Sequence, residues 1–275
     1  MGRLLIDTDV ILDFFFDRRP MTCLFKMVVL ATVLSWCQPP SSQLLDSLST
    51  EGNLHEAEDV RLLDFSISAE VPGELEQRLI DAGLVNIKAF LPDVFVELKY
   101  STEDNFFGMD VYGDLENCYL QPVVAEMLAE ALVYLQTDYP DLTFKIYDGV
   151  RPLSVQQILW DELDKPENIK PLYVADPKKG SLHNYGVAVD LTLADIQTGE
   201  VLDMGTGYDF FGYPAYPDRE EQMLQEGRIT EQQIANRKIL REAMLHAGFI
   251  GIGSEWWHFN AFSRKVAEQK FEMVK

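Results

Sequence analysis

Cysteine, histidine and positive charge are all scarce in this chain of 275 residues. Its 23 lysines and arginines stand against 45 acidic residues, which gives a formal net charge of −22 at pH 7. A surface of this sign repels phosphate backbones, so we expect no nucleic-acid partner. The three cysteines, Cys23, Cys37 and Cys118, include no CxxC pair and predict no disulfide framework. At 47% hydrophobic and 25% charged residues, the composition is that of a globular protein with one core.

Several enzyme motifs are missing as well. The chain contains no GxSxG, no phosphate-binding P-loop and no GxGxxG. Cys118 has no basic neighbour in the sequence, so cysteine catalysis is poorly supported. The chemistry is therefore expected to involve carboxylates and the four histidines, His55, His183, His246 and His258.

A short apolar run, Met27–Trp36, follows Lys26 and is followed by Cys37. About ten residues are too few to span a bilayer as a helix, and this layout is typical of a secretory signal. A cysteine directly after such a run resembles the lipidated first residue of bacterial lipoproteins, although Trp36 stands where a small residue is usual. We therefore expect an exported, periplasmic or lipid-anchored protein. A buried N-terminal helix and a cytoplasmic location are the alternatives.

Residues 1–20 precede this signal-like segment and combine apolar with acidic residues. They resemble the first strand and acidic turn of PIN-domain nucleases, with Asp7 at the metal-binding position, but nothing downstream continues that pattern. We interpret them as the product of an upstream start codon, with Met21 or Met27 as the true start.

Three regions follow from these patterns. Residues 1–37 form the N-terminal extension with the signal segment, 38–72 form a polar tether, and 73–275 form the folded domain. Helical spacing of apolar residues predicts helices over 73–83, 122–136, 153–163 and 231–248. Alternating or β-branched stretches predict strands at 94–100, 142–149, 187–193 and 255–260. Strict βαβ alternation is absent, so we predict an α+β fold with a small antiparallel or mixed sheet and packed helices.

Two of the histidines lie in stretches of unusual character. His183 is followed by an Asn-Tyr-Gly turn and then by an apolar strand that contains Asp190. A carboxylate buried in such a strand is unfavourable unless it is paired or binds a metal. The turn would let His183 and Asp190 meet one ion on the sheet. A strand-end aspartate with a local hydrogen bond is the alternative.

The second stretch is EWWHF, in which Glu255 and His258 flank two tryptophans. An apolar wall raises the pKa of a carboxylate toward the range useful for a general base. Strict strand alternation would put Glu255 and His258 on opposite faces, so their convergence requires a bulge or a strand end. Two imidazoles and one carboxylate would leave a fourth zinc position open for water. His55 lies in the tether, and His246 suits the dipole at the end of its helix.

Five blocks of the sequence resemble, in order, the VanX-type D-Ala-D-Ala dipeptidases, a zinc peptidase family related to D-Ala-D-Ala carboxypeptidases. The resemblance runs from about Leu84 to about Phe262. The two histidine stretches alone would indicate only the wider group of D-Ala carboxypeptidases and endolysins. The blocks are KYSTEDNFFG (99–108), IYDGVRP (146–152), SLHNYGVAVDLTL (181–193), MGTGYDFF (204–211) and EWWHF (255–259).

The resemblance implies a role for each matching residue. One Zn²⁺ would be held by His183, Asp190 and His258, and Glu255 would be the catalytic base. Arg151 would stabilise the developing oxyanion, for which a fixed guanidinium is suited. On sequence alone, a surface salt bridge is the alternative for Arg151. Asp209 would hold the ammonium of the substrate, and Ser181 would lie near the bound dipeptide. Tyr100 and Asn105 would help to shape the pocket.

The implied activity is hydrolysis of the free dipeptide D-Ala-D-Ala in cell-wall peptide turnover. Export would suit salvage of D-alanine better than glycopeptide resistance. Three alternatives stay open: a carboxypeptidase or endopeptidase acting on peptidoglycan stem peptides, a non-catalytic zinc-binding domain, and a PIN-type nuclease that rests on residues 1–20 alone. Glu255 and Arg151 argue against the non-catalytic domain, because a structural zinc site needs neither.

Overall fold

Seven strands lie within residues 72–275, the part of the chain that this computed structural model describes. Five of them form one mixed sheet in which the second and fourth strands of the chain run parallel and the other neighbours antiparallel. The first and third strands form a separate antiparallel pair. In chain order the strands are β1 (Val85–Asn86), β2 (Phe95–Val96), β3 (Tyr119–Leu120), β4 (Leu142–Asp148), β5 (Ala188–Asp195), β6 (Ile250–Gly251) and β7 (His258–Asn260). The order in the large sheet is β2-β4-β5-β7-β6.

Seven α-helices complete this part of the molecule, so the predicted α+β class with a mixed sheet is confirmed. They are α1 (Glu74–Asp81), α2 (Ile87–Phe90), α3 (Pro122–Asp138), α4 (Leu153–Glu162), α5 (Glu220–Gln225), α6 (Glu231–His246) and α7 (Arg264–Lys270).

The two long helices begin and end where local chemistry favours it. Helix α3 starts at Pro122, whose missing N–H is no loss in the first turn. Helix α6 starts after Thr230, which forms a capping box with Gln233. It ends before Gly248, whose φ of 86° permits the left-handed turn after the helix. Helices α3 and α6 pack against each other beside the sheet.

Strand β5 lies at the centre of the core. All its residues except Asp195 are buried, as expected for a strand covered on both faces. Leu191 and Leu193 pack within the same apolar cluster as Phe144 and Ile146 of the neighbouring strand β4. Asp190 is the one ionisable residue among the buried positions of β5, so its charge must be compensated there.

Two predicted strands are shorter than the sequence indicates. The predicted strand at 94–100 contains only Phe95–Val96, because the chain turns into a 3-10 helix, Lys99–Ser101, that buries Tyr100. The predicted strand at 255–260 begins only at His258. The apolar tryptophans at 256 and 257 produce the strand-like pattern, but they are buried from a loop.

The predicted signal segment and nearly all of the predicted tether lie outside the described residues. Between residues 72 and 275, no helix has both the length and the apolar character that crossing a membrane would require.

Candidate metal centre and active site

Strand pairing places two of the candidate ligands opposite each other. Asp190 of β5 is the antiparallel partner of His258 of β7, and such partners project from the same face of a sheet. His183 belongs to a 3-10 helix, Leu182–Tyr185, that ends at Gly186 with a φ of 67°. This left-handed residue redirects the chain into β5, and His183 thereby returns to the side of Asp190.

The three side chains converge with short separations between their ligand atoms. His183 Nε2 lies 3.2 Å from His258 Nδ1 and 3.5 Å from Asp190 Oδ1. His258 Nδ1 lies 2.9 Å from Asp190 Oδ1. Atoms bound tetrahedrally to zinc at about 2.0–2.1 Å lie about 3.3 Å apart, so these separations and this donor set fit a zinc ion.

Both histidine rings are also held by a hydrogen bond on the side that faces away from the cluster. His183 Nδ1 donates to the carbonyl of Gly149 at 2.7 Å, which leaves Nε2 free of a proton in the neutral ring. His258 Nε2 donates to Asn260 Oδ1 at 2.9 Å, so the proton that Nδ1 shares with Asp190 is the one that a bound metal ion would displace. Such partners fix the tautomer and the ring orientation that metal binding needs.

Charge within the cluster also favours a cation. Burial by itself would raise the pKa of Asp190, but the neighbouring imidazoles hold that pKa below its usual range. Although burial opposes the shift, the hydrogen bond with Asp190 raises the pKa of His258 to about 9. The carboxylate therefore stays ionised and available to a positive charge.

Glu255 lies in the loop before β7, with Oε2 at 3.9 Å from His258 Nδ1. Because the strand begins at His258, strand alternation does not apply to Glu255, and the two side chains can converge. Burial raises the pKa of Glu255, and the negative charge of Asp190 raises it further. The neighbouring His258 lowers it, but by less than burial raises it. A carboxylate of raised pKa beside the candidate ligands has the geometry of a general base.

Arg151 forms a buried ion pair with Asp148 at the end of β4. It donates through Nε at 3.0 Å and through Nη2 to the same oxygen, Asp148 Oδ2. Burial would lower the pKa of Arg151, but the charge of Asp148 raises it. Asp148 Oδ2 also lies 3.7 Å from His183 Nδ1. The guanidinium is therefore buried next to the candidate metal centre, and the surface salt bridge left open by the sequence is wrong.

Asp209 combines unusual backbone geometry with a shielded carboxylate. It is the one non-glycine residue of positive φ, 56°, in the described part of the chain. The hydroxyl of Tyr100 donates to Asp209 Oδ2 at 2.9 Å, and the guanidinium of Arg151 lies 4.9 Å from the Tyr100 ring. Burial, reinforced by Asp190, raises the pKa of Asp209 well above its ordinary value. A carboxylate in such surroundings gains most from a cationic ligand.

Comparison with known proteins places the chain in a family of peptidases. Residues 80–275 match the family model of the M15 peptidases, described as D-Ala-D-Ala dipeptidase. The chain belongs to this family. The matched range contains the whole candidate centre, and the resemblance that the five sequence blocks predict is confirmed.

Three relatives, each named D-alanyl-D-alanine dipeptidase, illustrate the similarity. The relative from Escherichia coli (strain K12) is 35% identical over 176 residues, which are 64% of this chain and 83% of the relative. The relative from Streptomyces coelicolor is 31% identical, with 59% and 83% covered. The relative from Enterococcus faecalis is 27% identical, with 71% and 99% covered.

The remaining predicted residues occupy different positions. Ser181 caps the 3-10 helix of His183, because its Oγ accepts the His183 N–H at 3.3 Å. Its contact with a substrate stays a prediction. Asn105 binds its own loop through three backbone carbonyls, those of Lys99, Thr102 and Met109. His246 stacks on Tyr134, with ring centroids 4.0 Å apart, away from the cluster.

Sequence reasoning missed several residues that support the site. Asp148 was overlooked, although its position three residues before Arg151 in a predicted strand–turn was a usable signal. Gln156, one turn into α4, accepts from Arg151 Nη1 at 3.3 Å. Asn260 and Tyr208 contact the candidate ligands from a strand and from a distant loop, and no local pattern indicates those contacts.

Proposed function

We propose that this protein is a zinc-dependent dipeptidase that hydrolyses free D-Ala-D-Ala to D-alanine. One observation carries the proposal: His183, Asp190 and His258 offer ligand atoms that all lie within 4.8 Å of one another, in the described part of the chain. Glu255 stands beside this cluster. The names of the relatives from three organisms support the choice of substrate.

Zinc bound by these three side chains would lower the pKa of a bound water to about 7 and polarise the scissile carbonyl. Glu255 then accepts the proton of the attacking water on its carboxylate and delivers it to the amine that leaves. The raised pKa of Glu255 favours both transfers, because a carboxylate that binds a proton more readily is a better acceptor for the proton of the water. The carboxyl formed in this way is the donor for the leaving amine.

Arg151 supplies a fixed positive charge for the oxygen that becomes negative in the tetrahedral intermediate. Its two bonds to Asp148 and its bond to Gln156 hold the guanidinium in one orientation. A group already oriented needs no reorganisation when the charge develops, which is the source of its effect on rate.

Asp209 binds the free ammonium of the dipeptide. The charge of that cation opposes the burial that raises the pKa of Asp209, and so favours the ionised carboxylate. A peptide extended at its amino end has no ammonium to offer at this position, so we propose selectivity for free dipeptides.

The test is hydrolysis by the purified zinc-loaded protein of D-Ala-D-Ala and of a stem pentapeptide ending in D-Ala-D-Ala. We expect a higher kcat/KM for the dipeptide. Faster cleavage of the pentapeptide would show a carboxypeptidase instead. Glu255→Gln removes the base but keeps the size of the side chain, and we expect it to retain zinc while losing hydrolysis. Glu242→Gln, on the exposed face of α6, is the matched control.

We also propose export to the periplasm or the outer face of the membrane, with lipidation at Cys37. The order of Lys26, the apolar run 27–36 and Cys37, with a polar stretch after it, supports this. Fractionation of cells that express the full chain, beside a Cys37→Ala variant, tests it. The full chain should sediment with membranes and the variant should not. Recovery of both from the cytosol would contradict export.

A further inference from the structure

Tyr208 makes a contact that the proposed chemistry does not use. Its hydroxyl donates to Asp190 Oδ2 at 3.0 Å, while Asp190 Oδ1 faces the two histidines. The hydrogen bond thus engages the oxygen that points away from the cluster. It stabilises the carboxylate in the rotamer that presents Oδ1.

The ring of Tyr208 is held on three sides by aromatic neighbours. Its centroid lies 5.3 Å from that of Tyr147, 5.5 Å from that of Trp257 and 6.2 Å from that of Tyr100. Edge-to-face and tilted contacts at these distances are favourable. Packing of the ring therefore directs the hydroxyl at Asp190. The same ring contacts would remain if the hydroxyl were removed.

Tyr208 is the third of three such supports. The other two are the Gly149 carbonyl behind His183 and the Asn260 amide behind His258. Hydrogen-bond partners behind metal ligands typically change metal affinity by about 10-fold to 100-fold when removed. Of the three, Tyr208 lies on the loop that also carries the residue assigned to the substrate ammonium.

That residue is Asp209, the next along the chain. Its φ of 56° lies in the left-handed region, which few non-glycine residues adopt and which aspartate tolerates better than most. Tyr208 fixes the backbone on one side, and Tyr100 fixes the carboxylate by a hydrogen bond of 2.9 Å. Earlier in the same loop, the hydroxyl of Thr206 accepts a hydrogen bond from Trp256 Nε1 at 2.8 Å.

We propose that Tyr208 is a positioning residue that couples metal binding to the substrate pocket. Through its hydroxyl it orients Asp190 for the ion, and through its backbone it keeps Asp209 in place for the ammonium. This inference rests on the proposed zinc site. Coupling between two sites is reciprocal. If the Tyr208 hydrogen bond makes the metal bind more tightly, bound metal in turn stabilises the loop that carries Tyr208 and Asp209.

Tyr208→Phe removes one oxygen atom and leaves the ring contacts. Zinc affinity is measured by titrating the metal-free protein in competition with a chromophoric chelator. We expect the zinc Kd of this variant to rise by about tenfold or more. Tyr147→Phe is the matched control, because it removes a hydroxyl from the neighbouring ring that makes no bond to Asp190 in the described part of the chain. Its Kd should equal that of the unaltered protein.

A second measurement separates this role from general stability. Thermal unfolding of the metal-free variants measures the stability that is lost with the hydrogen bond itself. With saturating zinc, the Tyr208→Phe enzyme should show a KM for D-Ala-D-Ala raised several-fold, with kcat changed less, which a general loss of stability would not produce. An unchanged zinc Kd in Tyr208→Phe would overturn the proposal. Absence of zinc binding by the unaltered protein would instead overturn the zinc site itself.

Discussion

Asp190 and His258 face each other across the pairing of β5 and β7, with His258 Nδ1 2.9 Å from Asp190 Oδ1. The two residues are 68 positions apart in the sequence, and the register of the two strands brings them together. A slip of one residue would turn one of them to the opposite face. The hydrophobic burial that fixes the register of β5 therefore also builds the candidate metal centre.

Gly186 is predicted to be essential for bringing His183 to this pair. Gly186→Ala puts a β-carbon on a residue of φ 67°, which should lower the free energy of unfolding by about 1–2 kcal/mol. It also brings that carbon to 3.1 Å from Leu84 Cδ2, so the turn must shift. Denaturant unfolding and zinc titration measure the two effects.

Gly227 provides the control for this substitution. It has a φ of 66° and open space around its β-carbon position. Gly227→Ala should show a similar loss of stability with unchanged zinc affinity. Equal zinc affinity in both variants would contradict the role assigned to the Gly186 turn.

Arg151→Lys tests whether orientation or charge matters at the oxyanion. Lysine keeps the positive charge but cannot reproduce the two bonds that Nε and Nη2 of Arg151 make to Asp148 Oδ2. We expect kcat for D-Ala-D-Ala to fall by about 10²-fold, with a smaller change in KM. Steady-state kinetics at saturating zinc gives both values. A variant that keeps full kcat would exclude Arg151 from stabilising the transition state.

Asp209→Asn tests the ammonium site. A neutral amide of the same shape loses the charge-assisted contact, so KM for D-Ala-D-Ala should rise by about tenfold to a hundredfold. N-acetyl-D-Ala-D-Ala has no ammonium, and the unaltered enzyme should cleave it poorly. The substitution should affect that substrate far less. Equal effects on both substrates would refute the assignment.

Arg237 is predicted to contribute strongly to stability from within α6. It is 1% exposed and donates to the carbonyls of Met204 and Pro214 at 2.7 and 2.8 Å, so it ties down both ends of the Asp209 loop. Arg237→Met would leave both carbonyls without this partner, at a cost of about 2 kcal/mol.

Arg241 offers the comparison on the same helix. It pairs with Glu220, and its side chain is 30% exposed. Arg241→Met should lose less than about 1 kcal/mol. Denaturant unfolding of the two variants measures the difference, and an equal loss would argue against a special role of Arg237.

The sequence was most informative where the chemistry is local. Helices α3, α4 and α6 and the strands β4 and β5 were predicted within a few residues, because their apolar periodicity extends over whole elements. The grouping of His183, Asp190, His258 and Glu255 came from short motifs and a family resemblance. Strand alternation by itself argued against Glu255 joining His258.

Contacts between distant segments could not be predicted in this way. Tyr208 reaches Asp190 only because a loop without periodicity packs among three aromatic rings. The strand predicted at 94–100 failed for a similar reason: burial of Tyr100 against Asp209 and Arg151 favours a 3-10 turn over continued pairing. In both cases tertiary packing outweighed the local pattern.

The most direct test of the account is the zinc content of purified protein after equilibration with zinc and removal of the excess. We predict one zinc per chain for the unaltered protein and for Glu255→Gln, and almost none for Asp190→Ala. A full equivalent of zinc in Asp190→Ala, or none in the unaltered protein, would contradict the assignment of His183, Asp190 and His258 as one metal centre.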